Sequence, residues 1–390
     1  MPKTIWIINQ YAGSPYHGME FRHYYLAKKF VENGHKVHII SGSYSHLYKN
    51  LPETTSEEID GINYTWVKIP KYKNPVSAGR VINMLVFMLK LFALNTNKLE
   101  KPDTIIVSSP SPFPILNGYL WAKKYKAQLF FEIRDPWPDV LIELNNMPKY
   151  HPFILFMRGF IELGYKKSKN IISLHPNNQF KYIPNGIDLD EMKQIEPLEE
   201  HTADQIPKNK FIIGYTGTLG VANALEYLIV AAKMIKDKKD IHFVIVGKGG
   251  NKDNLLKQAE GLENITFIDV INKTQIQSML NLFDVCYIGW KKKKYYEGGV
   301  YANKISDYMY SGKPILYSVK TSCNPVELAN CGIIVEPESP SAIVDGILEL
   351  YNMPVEERNQ LGENGREFVI KHHGYDVLAQ KYMDLFNEGI

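Results

Sequence analysis

Residues 297–314 read Glu-Gly-Gly-Val-Tyr-Ala-Asn-Lys-Ile-Ser-Asp-Tyr-Met-Tyr-Ser-Gly-Lys-Pro and run into the apolar triplet Ile315-Leu316-Tyr317. A helix opened by Gly298 and Gly299 presents unpaired backbone N–H groups at its start, where the helix dipole also favours an anion. Within that helix Lys304 and Asp307 stand three residues apart and share a face, offering one cation for a diphosphate and one carboxylate for sugar hydroxyls. The pattern predicts a nucleotide-sugar site. The competing reading is a glycine-led surface helix with an ordinary ion pair.

The rest of the chain supplies the frame for that helix. Apolar runs near 4–9, 37–41, 62–67, 104–108, 128–133 and 170–174 alternate with helical periodicity near 20–33, 79–95, 115–124 and 152–167. A second series, near 211–216, 241–247, 264–268, 284–288, 314–318 and 332–335, alternates with helices near 223–236, 251–260, 273–282, 302–311 and 339–352. Such alternation implies βαβ units and parallel sheets. With 390 residues the expectation is an α/β chain of two Rossmann-like domains, 1–183 and 184–373, divided at the Pro/Asn/Gly turn in Tyr182–Asp188. Ser168–His175 and Gln179–Ile183 read as strands joined by only Pro176-Asn-Asn178.

Ligands of open α/β sheets settle at the carboxyl ends of strands, so the loops there hold the candidates. After the first strand, Gly13 and Gly18 let backbone approach an acceptor, and His17, Glu20 and Arg22 supply polar groups; a flexible connection is the alternative. After the fifth, Phe131-Glu132-Ile133-Arg134-Asp135-Pro136-Trp137-Pro138 sets charges behind an apolar run, either Arg134 and Asp135 facing the reacting centre or a structural Glu132–Arg134 network. In the second half, Gly217 and Thr218 follow a strand, and Lys248 follows the next. No basic residue lies in 214–223, which leaves Lys304 and Lys248 to supply positive charge.

The 307–315 string Asp-Tyr-Met-Tyr-Ser-Gly-Lys-Pro-Ile resembles the donor-binding helix of retaining GT-B glycosyltransferases of the large fourth family. There a Glu-x7-Glu motif runs into Ala-Met-Ala-x-Gly-x-Pro-Val; here Gly299 stands where the first Glu would be, and the nearest acid is Glu297. The Asn303-Lys304 pair and the Glu-x-Arg-Asp-x-Trp-Pro string at 132–138 are similar to the branch that builds bacterial surface polysaccharides, including N-acetylfucosamine and N-acetylhexosamine transferases of O-antigen and capsule pathways. The Pro-Asn-Gly-Ile-Asp string at 184–188 resembles that family's interdomain junction. The resemblance implies a GT-B fold with domains facing across a cleft, an acceptor-binding N-terminal domain completed by helix 374–390, and a donor-binding C-terminal domain. It further implies a retaining, metal-independent hexosyltransferase that moves a sugar, of N-acetylated hexosamine type, from a UDP-sugar to a lipid-linked, undecaprenyl diphosphate type saccharide. In that reading Lys304, Glu297, Asp135 and Arg134 are catalytic, and Gly217, Thr218, Lys248, Gly298, Gly299, Asn303 and Asp307 hold the donor.

Composition narrows the alternatives. A net charge of +3 is too mild to argue for nucleic acid. The three cysteines, Cys286, Cys323 and Cys331, form no CxxC and suggest a reducing compartment. His372-His373 and His175 read as surface residues, and no Asp-x-Asp sits at a strand end, so no metal or other cofactor is expected. The N-terminal apolar run is too short for a signal peptide, which predicts a cytoplasmic protein. Lys68, Lys71, Lys73 and Arg80 precede the apolar stretch 81–94, too short to span a bilayer: either a core helix or one lying on the anionic inner face of the membrane. Lys291–Lys294 reads as a solvated loop able to meet a lipid pyrophosphate. A UDP-N-acetylglucosamine 2-epimerase-like isomerase, recruiting Glu132, Asp135 and His17, and a non-catalytic nucleotide-binding module are the competing functions.

Overall fold

The uninterrupted apolar runs become the centres of two parallel sheets, covered by helices on both faces, which is why they show no polar alternation. The computed structural model describes residues 1–18, 21–73, 77–134, 137–144, 147–175, 179–293 and 303–388. The chain divides into two units, Met1–Asn185 with Tyr375–Ile390, and Gly186–Gly374.

The first unit holds β1 (Thr4–Ile8), β2 (Lys36–Gly42), β3 (Ser56–Ile59), β4 (Ile62–Val67), β5 (Thr104–Ser108), β6 (Gln128–Ile133), β7 (Asn170–Ser173) and β8 (Lys181–Tyr182). Their order is β3-β4-β2-β1-β5-β6-β7-β8. All neighbours are parallel except the β3–β4 hairpin, which turns through Asp60 and Gly61 at φ 50° and 75°. Strands β7 and β8 pair in parallel although the link 174–180 is short for a parallel crossover, which ordinarily takes a dozen or more residues.

Helix Tyr375–Asn387 packs with helix Arg22–Glu32 on one face, Tyr375 stacking on Tyr25 with ring centroids 4.9 Å apart and Phe386 meeting Phe30 edge-on at 5.3 Å. On the other face helix Ala78–Phe92 buries Phe87 and Leu91 in the cluster that holds Trp6, Ile115 and Trp121. The same helix leaves Ile82, Leu89 and Phe92 exposed at 56%, 59% and 51%, so each of the two readings of the 81–94 stretch fits one side of it. Asn83, which interrupts the apolar run, is buried, accepting from Gln10 and donating to the Pro70 carbonyl at 2.5 Å.

The second unit is wholly parallel: β9 (Phe211–Thr216), β10 (Ile241–Val246), β11 (Ile265–Ile268), β12 (Val285–Gly289), β13 (Ile315–Ser318) and β14 (Gly332–Ile334), in the order β11-β10-β9-β12-β13-β14. The strand order reverses beside β1 and β5 in the first unit and beside β9 and β12 in the second, and loops at such switch points diverge and leave a crevice. His373, expected on the surface, is buried: its ring centroid lies 5.3 Å from that of Phe368, and its carbonyl accepts the Ile187 N–H at 3.0 Å.

Candidate functional site

The second unit builds its site where β9 ends. The chain leaves the strand through Gly217 at φ 139°, a conformation that costs an L side chain strain. Gly247, at φ 140° after β10, is needed as glycine for another reason: a Cβ there would lie 1.9 Å from the Gly217 carbonyl oxygen. Close approach lets the two loops knit together, with Gly217 N–H donating to Val246 O at 3.0 Å and Leu219 N–H to Lys248 O at 2.8 Å. The Thr218 and Lys248 side chains are exposed beside this seam.

Helix Asn303–Tyr310 is pinned to the same strand end. Tyr308 is fully buried, and its hydroxyl accepts the Thr216 N–H at 2.7 Å. One turn earlier Lys304 reaches the 217–223 loop, where Nζ donates to Tyr215 Oη at 2.5 Å and to Asn223 Oδ1 at 3.1 Å, 4.0 Å from the Tyr215 ring centroid. A Cβ on Gly217 would come within 3.0 Å of this amine. Burial pushes the ammonium down to about 7. Asp307, half-buried, has different neighbours and lines a small pocket with Glu191, Met192, Lys273 and Gln277. Burial pushes its carboxyl up to about 6, Lys273 opposing and Glu191 adding to the shift. The two groups expected to share a face therefore serve adjacent compartments. Asn303 is exposed at the start of the helix. Glu297, Gly298 and Gly299 lie outside the described residues.

Lys291 is no free cation awaiting an acidic lipid. It pairs with Glu226 and lies 3.7 Å from Glu338, and Lys292 meets Glu336 at 2.7 Å.

In the first unit Arg22 is not an acceptor-facing group. It is buried, donating through Nε and Nη2 to Glu132 at 3.1 and 2.9 Å, and through Nη2 and Nη1 to the carbonyls of Ile183, at 2.9 Å, and Pro184. Glu132, 0% exposed, also accepts from Ser108 Oγ at 2.7 Å, from Tyr382 Oη and from His23 Nε2 at 3.2 Å. Burial alone would raise this carboxyl, yet Arg22 and His23 outweigh it and hold the group well below the usual carboxylate range. The structural network thus exists, with Arg22 in place of Arg134. Arg134 is half-buried at the exit of β6, its N–H donating to Ser109 Oγ at 2.8 Å.

His17 is likewise turned inward. Nδ1 meets Ser14 Oγ at 2.9 Å, Nε2 lies 3.4 Å from Glu57, and the ring centroid is 4.6 Å from that of Trp66. Gly13 accepts the Tyr64 hydroxyl at 3.1 Å, and Gly18 bridges to Tyr48 at a point where a Cβ would meet the Leu47 carbonyl oxygen at 2.8 Å. Both glycines serve loop packing. Glu20 and Asp135 lie outside the described residues. Among the described residues no cluster of His, Cys, Asp or Glu has metal-holding geometry.

Sequence reasoning missed Tyr215 and Asn223 as partners of Lys304. A tyrosine inside an apolar run reads as core, and only the lack of a basic residue in 214–223 hinted that the loop receives a cation from elsewhere.

Residues 198–368 match the family described as glycosyl transferases group 1. Over 359 residues, 84% of this chain and 87% of the relative, the sequence is 25% identical to the protein named "Putative colanic acid biosynthesis glycosyl transferase WcaI" of Escherichia coli (strain K12). Among solved structures, sucrose-phosphate synthase from Thermosynechococcus elongatus aligns with a TM-score of 0.75 at 15% identity, covering 99% of this chain and 98% of that one. Anabaena Alr3699/HepE in complex with UDP and glucose aligns with a TM-score of 0.66 at 13% identity, over 99% of this chain and all of the other.

Proposed function

We propose, from the match of residues 198–368 to the group 1 glycosyl transferases on a chain with the two-domain α/β fold of GT-B glycosyltransferases, that the protein is a retaining, metal-independent glycosyltransferase. It moves a sugar of N-acetylated hexosamine type from a UDP-sugar to a lipid-linked, undecaprenyl diphosphate type saccharide in surface polysaccharide biosynthesis. The observation that carries this reading is the Lys304 amine at the end of β9, whose hydrogen-bond partners among the described residues are both neutral. An ammonium so placed suits the diphosphate of a donor. The names of WcaI and of the HepE complex with UDP support the pathway and the nucleotide.

In the proposed reaction the acceptor hydroxyl attacks the anomeric carbon on the face from which UDP departs. The bond between that carbon and the diphosphate oxygen breaks, and the hydroxyl proton passes to the departing diphosphate. Lys304 offsets the charge that develops there. Thr218, Lys248 and the exposed Asn303 flank the diphosphate, Asp307 takes the ribose hydroxyls, Glu297 the sugar ring, and Arg134 and Asp135 the acceptor side.

No helix among the described residues is long and apolar enough to cross a membrane. The lipid-linked acceptor is reached by peripheral attachment through the exposed side of helix Ala78–Phe92 and the exposed Lys68, Lys71 and Lys73. The epimerase alternative is weakened because His17 has both ring nitrogens engaged and Glu132 is sealed from solvent.

The test is a panel of UDP- and GDP-sugars incubated with and without bacterial lipid extract. Acceptor-dependent UDP release, with the anomeric configuration kept in the product by NMR, is expected. Conversion of UDP-N-acetylglucosamine to its 2-epimer without acceptor would overturn the proposal.

A further inference from the structure

The Lys304 amine is held by a cluster whose hydrogen-bond directions are fixed. Tyr215 Oη accepts from Nζ while donating to the Thr218 carbonyl at 2.7 Å. Asn223 Oδ1 accepts from Nζ while its Nδ2 donates to the same carbonyl at 2.9 Å. A phenol has one hydrogen and an amide one carbonyl, so by engaging both donors Thr218 turns both acceptors toward Lys304. Two of the three ammonium hydrogens are thereby used, and the third remains for a ligand. The Tyr215 ring adds a cation–π contact without adding charge. The bare Gly217 backbone leaves the amine its space, since a Cβ would intrude to 3.0 Å.

We propose that Tyr215 and Asn223 are positioning residues that present the Lys304 ammonium, uncompensated by any carboxylate of their own, to the diphosphate of the donor. The inference rests on the transfer reading given above. It assigns a reason for asparagine at 223. Aspartate has the same shape, but it would neutralise the amine about 3 Å away and set a carboxylate oxygen against the Thr218 carbonyl. It also explains how a loop without a basic residue binds a diphosphate: the cation arrives from a helix 81 residues away in sequence and is fixed there by neutral partners.

The experiment uses UDP, with GDP in parallel, and measures dissociation constants by calorimetry on the full chain. Tyr215→Phe and Asn223→Ala should each weaken binding about tenfold, the scale of one hydrogen bond to a charged group. Asn223→Asp should weaken it more than Asn223→Ala. In a Lys304→Ala background Tyr215→Phe and Asn223→Ala should have no further effect, and Lys304→Ala/Asn223→Lys should recover part of the affinity by returning an amine to the same place. Equal losses with and without Lys304 would reduce Tyr215 and Asn223 to loop structure and overturn the inference while leaving the transfer reading intact. Asp and Ala behaving alike at 223 would overturn the charge argument. A wild type that binds neither nucleotide would overturn the transfer reading itself.

Discussion

Tyr308 and Thr216 exchange two hydrogen bonds, the Thr216 N–H donating to the phenol at 2.7 Å and the phenol donating to the Thr216 carbonyl at 3.1 Å. This exchange locks helix Asn303–Tyr310 to the last residue of β9 and so sets where Lys304, one turn away, meets the 217–223 loop.

Tyr308→Phe keeps the packing but leaves a buried N–H without its partner, costing about 1–3 kcal/mol of stability. It should also lower transfer about tenfold by loosening Lys304, whereas Lys304→Ala should lower it about 100-fold by removing the charge itself. Thermal melts and initial rates on one donor–acceptor pair check both. Unchanged turnover in the phenylalanine variant would show that the helix is positioned by other contacts.

The pH profile of kcat/KM should be bell-shaped and narrow. Lys304, lowered by burial to about 7, is charged only below that pH, and Asp307, raised to about 6, is ionised only above its own. The free enzyme thus has both charges between about 6 and 7, and kcat/KM reports free-enzyme groups. Asp307→Asn should abolish the acid limb while raising KM more than it lowers kcat, because a ribose contact acts in ground and transition states alike. A large fall in kcat at saturating donor with KM unchanged would contradict the ribose role.

The frame was legible because β5, β9, β10, β12 and β13 are buried throughout and therefore appear as unbroken apolar runs. The β3–β4 hairpin went unread although Asp60-Gly61 is a turn signal, because Ser56–Ile59 is polar on a sheet edge. Arg22 was misassigned for a different reason. Its partner Glu132 lies 110 residues away, and Tyr382, which completes the cluster, lies 250 residues beyond Glu132. A charge at a strand exit looks the same in sequence whether it faces a ligand or is sealed by a distant helix. Lys304 was found through local motif spacing, and its cradle was missed because that cradle is tertiary.

The sealed Glu132 makes an acid-sensitivity prediction with a definite sign. A carboxyl whose folded pKa is depressed contributes stability that is fully present above its unfolded value, near 4.5, and is lost as pH falls through the folded value. The melting temperature of the wild type should therefore drop steeply below about pH 4.5. Glu132→Gln should start lower, since the Arg22 charge is left buried without its partner at a cost of about 3–5 kcal/mol, and should show a flatter acid limb. Parallel curves for the two proteins would mean that other carboxylates govern the acid transition.

Membrane attachment is expected to depend on both an apolar and a basic component. Ile82, Leu89 and Phe92 recur at spacings that place them on one helical stripe, and all three are exposed. Of the four nearby cations, Arg80 is engaged with Tyr11, donating to its hydroxyl at 3.2 Å, and its guanidinium lies 5.9 Å from the Trp137 ring. Lys68, Lys71 and Lys73 are exposed, and each is expected to contribute about 1 kcal/mol if this surface meets anionic lipid. Co-sedimentation with anionic vesicles should fall as salt shortens the Debye length below about 8 Å. It should also fall when the three lysines become glutamate, and again when Ile82, Leu89 and Phe92 become serine, while Arg80→Gln should have little effect on it. Binding that survives both sets of substitutions, or a wild type that ignores such vesicles, would leave helix Ala78–Phe92 as a core helix with a greasy exterior and would move acceptor recognition elsewhere.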